Sequence, residues 1–144
     1  MKVPLLDLKA QHQTIREDVM TAVTRVIDSQ QFILGAEVEA FEKAAAEYCH
    51  VKHAIGCGSG SDALLLALMA LDVQPGQKII TPPITFAASS NCIKYCGGEV
   101  VFADIDPVTY LLDINKVKAL LEASPKGTYQ GIVPVDFAGR AVDL

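Results

Sequence analysis

The sequence has no cluster of lysine or arginine, no apolar run of membrane-spanning length and no signal-peptide core, and each absence removes a class of function. Its 12 Lys and Arg stand against 17 Asp and Glu, a net charge of −5, so nothing electrostatic favours a nucleic-acid partner. The opening MKVPLLDLKAQHQ lacks an apolar h-region, and with no candidate span the expected setting is the cytoplasm, away from membranes. Four cysteines in such a chain are expected as reduced thiols rather than a disulfide framework. Cys49, His50, His53 and Cys57 fall within nine positions, but the spacing matches no standard ligand pattern and Cys57 sits in a glycine turn, so no metal site is expected. Cys92 and Cys96 share a face of a predicted helix, as two small buried thiols would.

What is present is a grammar of alternation. Two helical segments come first. Ile15, Val19, Val23, Val26 and Ile27 recur at helical spacing up to about Ser29, and after a break at Gly35 a second helix carries Val38, Phe41, Ala45 and Tyr48 on one face. From His53 onward short apolar runs alternate with helical patterns: HAIGCG strand, Ser61 to Leu71 helix, KIITP strand, Phe86 to Tyr95 helix, EVVFADI strand, Asn115 to Ala123 helix, GIVPVDF strand. Such alternation predicts parallel strands joined by helical crossovers, an α/β fold with helices on both faces of a mostly parallel sheet. QPGQ, CGG and SPKG close the successive helices. No repeat, linker or low-complexity segment interrupts them. The chain stops at AGRAVDL, after an apolar strand and before a closing helix, as expected of a domain that continues in a longer chain.

The stretch GCGSGSDALLLAL runs from a dense glycine turn straight into an apolar helix. Gly56, Gly58 and Gly60 free the backbone for close approach, and Ser59 and Ser61 place hydroxyls at the helix start, where free amides and the positive dipole end suit a phosphate. A tight turn with Ser59 or Ser61 as an N-cap accounts for the same residues without a ligand. Two known phosphate loops are excluded. A P-loop needs Lys followed by Ser or Thr, and a dinucleotide fingerprint needs a third glycine where Ser61 stands and an acidic residue where KIITPP runs. A second stretch, TPPITFAASSN, follows the KIIT strand. Its prolines stiffen the loop, and Phe86 can lie against a flat ligand or serve as an ordinary core side chain.

Five segments in order carry a resemblance: PLLDLKAQ, QFILGAEVEAFEKAAAEY, GSGSDALLLALMALDVQPGQKIITPPITFAASSNCI, GGEVVFADIDPVTYLLD and GIVPVDFAGRAVDL. Together they resemble the DegT/DnrJ/EryC1/StrS sugar aminotransferases, pyridoxal-phosphate enzymes of the aspartate-aminotransferase fold (fold type I). The resemblance implies a three-layer α/β/α architecture, with residues 1–52 as an N-terminal helical segment and residues 53–144 as the first part of the cofactor-binding large domain. It implies that Gly60, Ser61 and Asp62 hold the phosphate of pyridoxal 5′-phosphate, Asp62 through its backbone amide because its carboxylate would be repelled. Phe86 matches the aromatic that stacks on the pyridine ring. PVDFAG departs from the commoner family form, which has histidine where this chain has Asp136, and no role is assigned to that residue.

Pyridoxal phosphate also needs a carboxylate at its pyridine nitrogen and a lysine that links to it and moves protons. The resemblance implies that both lie beyond Leu144, so no catalytic residue is expected here and the stretch alone is expected to be inactive. For the complete protein it implies a homodimeric transaminase. The amino group would pass from glutamate or another amino acid to a keto sugar, usually nucleotide-linked, in the making of polysaccharide or antibiotic amino sugars. A pyridoxamine-phosphate-dependent dehydratase of the same family, or a non-catalytic phosphate-binding or partner module, remains compatible with these residues.

Overall fold

The structure, a computed structural model, describes residue 3 and residues 5–143. The chain divides into two compact units, Met1–Gly56 and Cys57–Leu144. The first holds two helices. α1 (Leu8–Ser29) starts where the Asp7 carboxylate accepts the Ala10 N–H at 3.1 Å and ends at Gln30 in the left-handed region. α2 (Ala36–Tyr48) has Gly35 as its N-cap and two glutamates, Glu37 and Glu39, in its first turn, where they complement the helix dipole. Ala46 is its buried residue.

The second unit runs α3 (Gly60–Ala70), β1 (Lys78–Thr81), α4 (Ala88–Tyr95), β2 (Glu99–Phe102), α5 (Ile114–Glu122) and β3 (Tyr129–Ile132). The strands form one parallel sheet in the order β2-β1-β3. Side chains of a strand point to alternate faces, and here both faces are covered. Ile79 and Val100 turn to the face packed by Leu68, Cys92 and Ile93 of α3 and α4. Ile80, Val101 and Ile132 turn to the opposite face, packed by Val117 and Leu120 of α5. This is the α/β architecture expected, helices on two sides of a parallel sheet. Ile80 and Ile93 are completely buried, each contributing about 1.5–3 kcal/mol of hydrophobic stabilisation. α4 ends in a Schellman motif: Gly97, at φ +80°, donates to Lys94 and Gly98 donates to Ile93. That glycine is what CGG marks in the sequence.

Several local expectations are corrected. The HAIGCG segment forms no strand; a strand exists only through a ladder, and no described strand pairs with it. The GIVPVDF strand begins earlier and stops at Ile132, with Val133 donating one further bond to Ile80 at 2.8 Å before Pro134. Proline has no N–H for the ladder. On α2 the expected apolar face is only partly realised. Val38 and Ala45 are half-buried, whereas Phe41 and Tyr48 are exposed. The α1 stripe of Ile15, Val19, Val23 and Ile27 is likewise exposed among the described residues.

Thr81, at the carboxyl end of β1, is fully buried and donates its hydroxyl to the Val133 carbonyl at 2.9 Å. Thr81→Val keeps the shape and leaves that acceptor one bond short. It should lower stability by about 1–2 kcal/mol in urea unfolding without changing the slope. An unchanged midpoint would show that packing alone holds this strand end.

Candidate functional site

Parallel strands deliver their following loops to one end of the sheet, and ligands of open α/β folds gather there. In this chain the loop after β1 runs Pro82 to Ala87 into α4, while α3 presents its own N-terminus after the glycine turn. α3 and α4 pack side by side. Between them lies a cavity of about 220 Å³ whose walls include Ser61, Asp62 and Leu65 from α3 and Phe86, Ala88, Asn91, Cys92 and Tyr95 from the other side. Three of the four site residues expected from the sequence, Ser61, Asp62 and Phe86, therefore line one cavity. Gly60 is the first residue of α3, next to them in the chain.

The start of α3 is ordered by a reciprocal cap. Ser59, in extended conformation, accepts the Asp62 N–H at 3.1 Å, and its hydroxyl lies 2.9 Å from the Asp62 carboxylate. The N-cap is thus Ser59, and Ser61 is free of that task. The pairing also gives the Asp62 amide a partner within the protein. The N–H groups of Gly60 and Ser61 make no hydrogen bond to the described residues, which leaves two donors at the positive end of a helix of 11 residues. A Cβ built on Gly60 would meet no atom within 4 Å, and its backbone is not in the left-handed region. Neither strain nor crowding from the described protein explains a glycine there.

Phe86 is 78% exposed and precedes α4 instead of opening it. The helix begins at Ala88, with the Phe86 carbonyl accepting the Ser89 N–H at 3.1 Å. Thr85 and Ser89 join their hydroxyl oxygens at 2.7 Å across this turn. Cys92 is buried as expected, Cys96 is half-buried, and burial pushes the Cys92 thiol up from its ordinary pKa. Sequence reasoning missed Asn91 and Tyr95, whose four-residue spacing on one helix face was the available signal. It also missed Thr85 and Ser89, which have no signature of their own.

Other charged residues serve the scaffold. Asp104 accepts the Ile105 N–H and pairs with Lys116 at 3.2 Å, and these two contacts lower its pKa, the backbone bond contributing most. Asp106 is lowered by the Thr109 and Val108 N–H groups that it accepts. Asp136 accepts the Val142 N–H at 2.9 Å, tying down the chain after β3. Among the described residues no three His, Cys, Asp or Glu side chains converge as metal ligands, no lysine lines the cavity, and no helix is long and apolar enough to cross a membrane.

Comparison with known proteins bears on this geometry. The model of the DegT/DnrJ/EryC1/StrS aminotransferase family matches residues 13–144. The chain is 40% identical over 144 residues to a pleiotropic regulatory protein of Geobacillus stearothermophilus, covering all of this chain and 38% of that relative. It is 35% identical over 142 residues to a UDP-N-acetyl-3-dehydro-alpha-D-glucosamine 3-aminotransferase of Acidithiobacillus ferrooxidans, covering 99% of this chain and 37% of that one. The crystal structure of NtdA from Bacillus subtilis with bound cofactor PMP superposes with a TM-score of 0.89 at 32% identity, covering 99% of this chain and 32% of that one. The chain spans less than two-fifths of the length of these two curated relatives. With the family model matching residues 13–144 and the fold shared with a solved structure of the family, the chain belongs to the DegT/DnrJ/EryC1/StrS aminotransferase family.

Proposed function

We propose that this chain supplies the phosphate cradle and the ring-facing wall of a pyridoxal 5′-phosphate site in a sugar aminotransferase. The observation that carries the reading is Gly60. The missing Cβ there faces open space beside two unpartnered amides, which is what close approach of an external anion requires. The N–H groups of Gly60 and Ser61, with the Ser61 hydroxyl, would bind the phosphate. Asp62 would stand at its edge, its amide shared with Ser59 and its carboxylate held toward the cap at 2.9 Å from the Ser59 hydroxyl. Phe86 would meet the pyridine face, where an exposed aromatic can stack on a planar ring.

When bound, the cofactor supplies an electron sink that stabilises negative charge at the amino-bearing carbon. The residues of this chain hold it in place. The family resemblance assigns the covalent link and the proton transfers to residues outside these 144, in keeping with a cavity that no lysine lines among the described residues, and the stretch alone would bind the cofactor without transaminating. Residues 53–144 read as the first part of the cofactor-binding domain, preceded by the helical segment 1–52.

The substrate reading rests on the relatives. One is named for an amino transfer to a UDP-linked dehydro sugar, and another as a UDP-2-acetamido-2-deoxy-3-oxo-D-glucuronate aminotransferase. A nucleotide-linked keto sugar follows as the proposed acceptor, and glutamate as amino donor comes with the family resemblance. The homodimer comes with the family resemblance, and the cytoplasmic setting is carried over from the reading of the sequence.

Gly60→Val tests the cradle. Because nothing lies within 4 Å of the new Cβ, thermal stability should stay close to that of the parent protein. Affinity for pyridoxal phosphate and pyridoxamine phosphate should fall by roughly tenfold or more, with binding of unphosphorylated pyridoxal little changed. Equal binding of pyridoxal phosphate by both proteins would refute the assignment.

A further inference from the structure

Phe86 presents a contrast that the cofactor reading leaves unexplained. Its side chain is 78% exposed, yet the backbone on either side of it is pinned. Upstream, Thr81 and Pro82 are fully buried, and the Thr81 hydroxyl is bonded to Val133. Downstream, α4 starts without a side-chain cap from its own N-cap residue, Ala87. What closes the turn is a pair of bonds at Ser89, one with Phe86 itself and one that spans it from Thr85. The Ser89 N–H reaches the Phe86 carbonyl at 3.1 Å, and the Thr85 and Ser89 hydroxyls meet at 2.7 Å. Ser89 is only 6% exposed, so its hydroxyl has little access to water as a substitute partner.

We propose that Thr85 is a positioning residue: by clasping Ser89 it fixes the turn that carries Phe86 and so sets the aromatic ring at the rim of the cavity before any ligand arrives. The proposal rests on the pyridoxal phosphate reading for its effect on binding, and on the clasp geometry alone for its effect on the turn. Thr85 touches neither phosphate nor ring in this account. Its contribution is preorganisation, which improves binding by sparing the ligand the cost of ordering the loop.

Three variants in the purified protein test it. Thr85→Val keeps size and branching and removes the hydroxyl, Thr85→Ser keeps the hydroxyl, and Phe86→Ala removes the ring. Thr85→Val should weaken pyridoxal phosphate binding by roughly three- to tenfold, the range of an aromatic stacking contact. Inorganic phosphate should bind as before, and Thr85→Ser should restore the parent affinity. In the Phe86→Ala background the Thr85→Val change should add nothing, since a residue that acts only through Phe86 has no effect once the ring is gone. Additive losses, or equal losses for phosphate and pyridoxal phosphate, would overturn the proposal.

A ligand-free measurement separates this inference from the reading beneath it. Amide exchange of Ser89 and the backbone order of Phe86, read by NMR, should loosen in Thr85→Val and recover in Thr85→Ser. If the parent protein bound no pyridoxal phosphate, the cofactor reading would fall and the clasp would still be judged by this result. No change in either observable would remove the clasp.

Discussion

The hydrogen-bonded ladder on both sides of β1 is the constraint on which the rest depends. Lys78 to Thr81 pairs in parallel with Glu99 to Phe102 on one edge and with Tyr129 to Ile132 on the other. Parallel pairing sends every carboxyl end the same way, so the loop after β1 is delivered to the end of the sheet where ligands collect. Ile79 and Ile80, on opposite faces, anchor the two helical layers. α4 is thereby held against the sheet with α3 beside it, and the N-termini of both helices flank one cavity. Thr81 extends the constraint past the last ladder bond by holding Val133.

At that end, several polar groups satisfy one another, while among the described residues the first two amides of α3 have no partner. Ser59 and Asp62 satisfy each other, Thr85 and Ser89 do the same, and Asp136 takes the Val142 amide. The amides of Gly60 and Ser61 stand apart. Unpartnered donors at a helix N-terminus, beside a glycine with open space where its side chain would be, suit an anion, and in the proposed site specificity would come from what surrounds them. In the proposed site the exposed Phe86 would supply the flat apolar surface that distinguishes a phosphorylated ring from a bare phosphate.

Much of this was legible in the sequence. The apolar KIIT run and the alternation that follows it predict the parallel sheet, and CGG predicts the end of α4, because both depend on local chemistry that the residues carry themselves. The turn from Gly58 to Asp62 and the aromatic at Phe86 were legible as a pair once the order of segments was recognised. What escaped depends on partners distant in the chain or on choices between equals. HAIGCG has the composition of a strand but no ladder to join. Phe41 and Tyr48 have the spacing of a buried face, but nothing described covers them. Ser59 and Ser61 are equivalent as caps by composition, and only the geometry gives the cap to Ser59 and a partner to the Asp62 amide. Thr85 and Ser89 lie four residues apart across Phe86, Ala87 and Ala88, where nothing in the sequence separates a clasp from two solvated hydroxyls.

The central claim is that the α3 N-terminus and Phe86 together hold pyridoxal phosphate. A crystal structure of the protein grown with that cofactor tests it most directly. The account predicts the phosphate within hydrogen-bonding distance of the Gly60 and Ser61 amides, with the pyridine ring against Phe86. A phosphate bound elsewhere, or a ring turned away from Phe86 with those two amides left free, would contradict it.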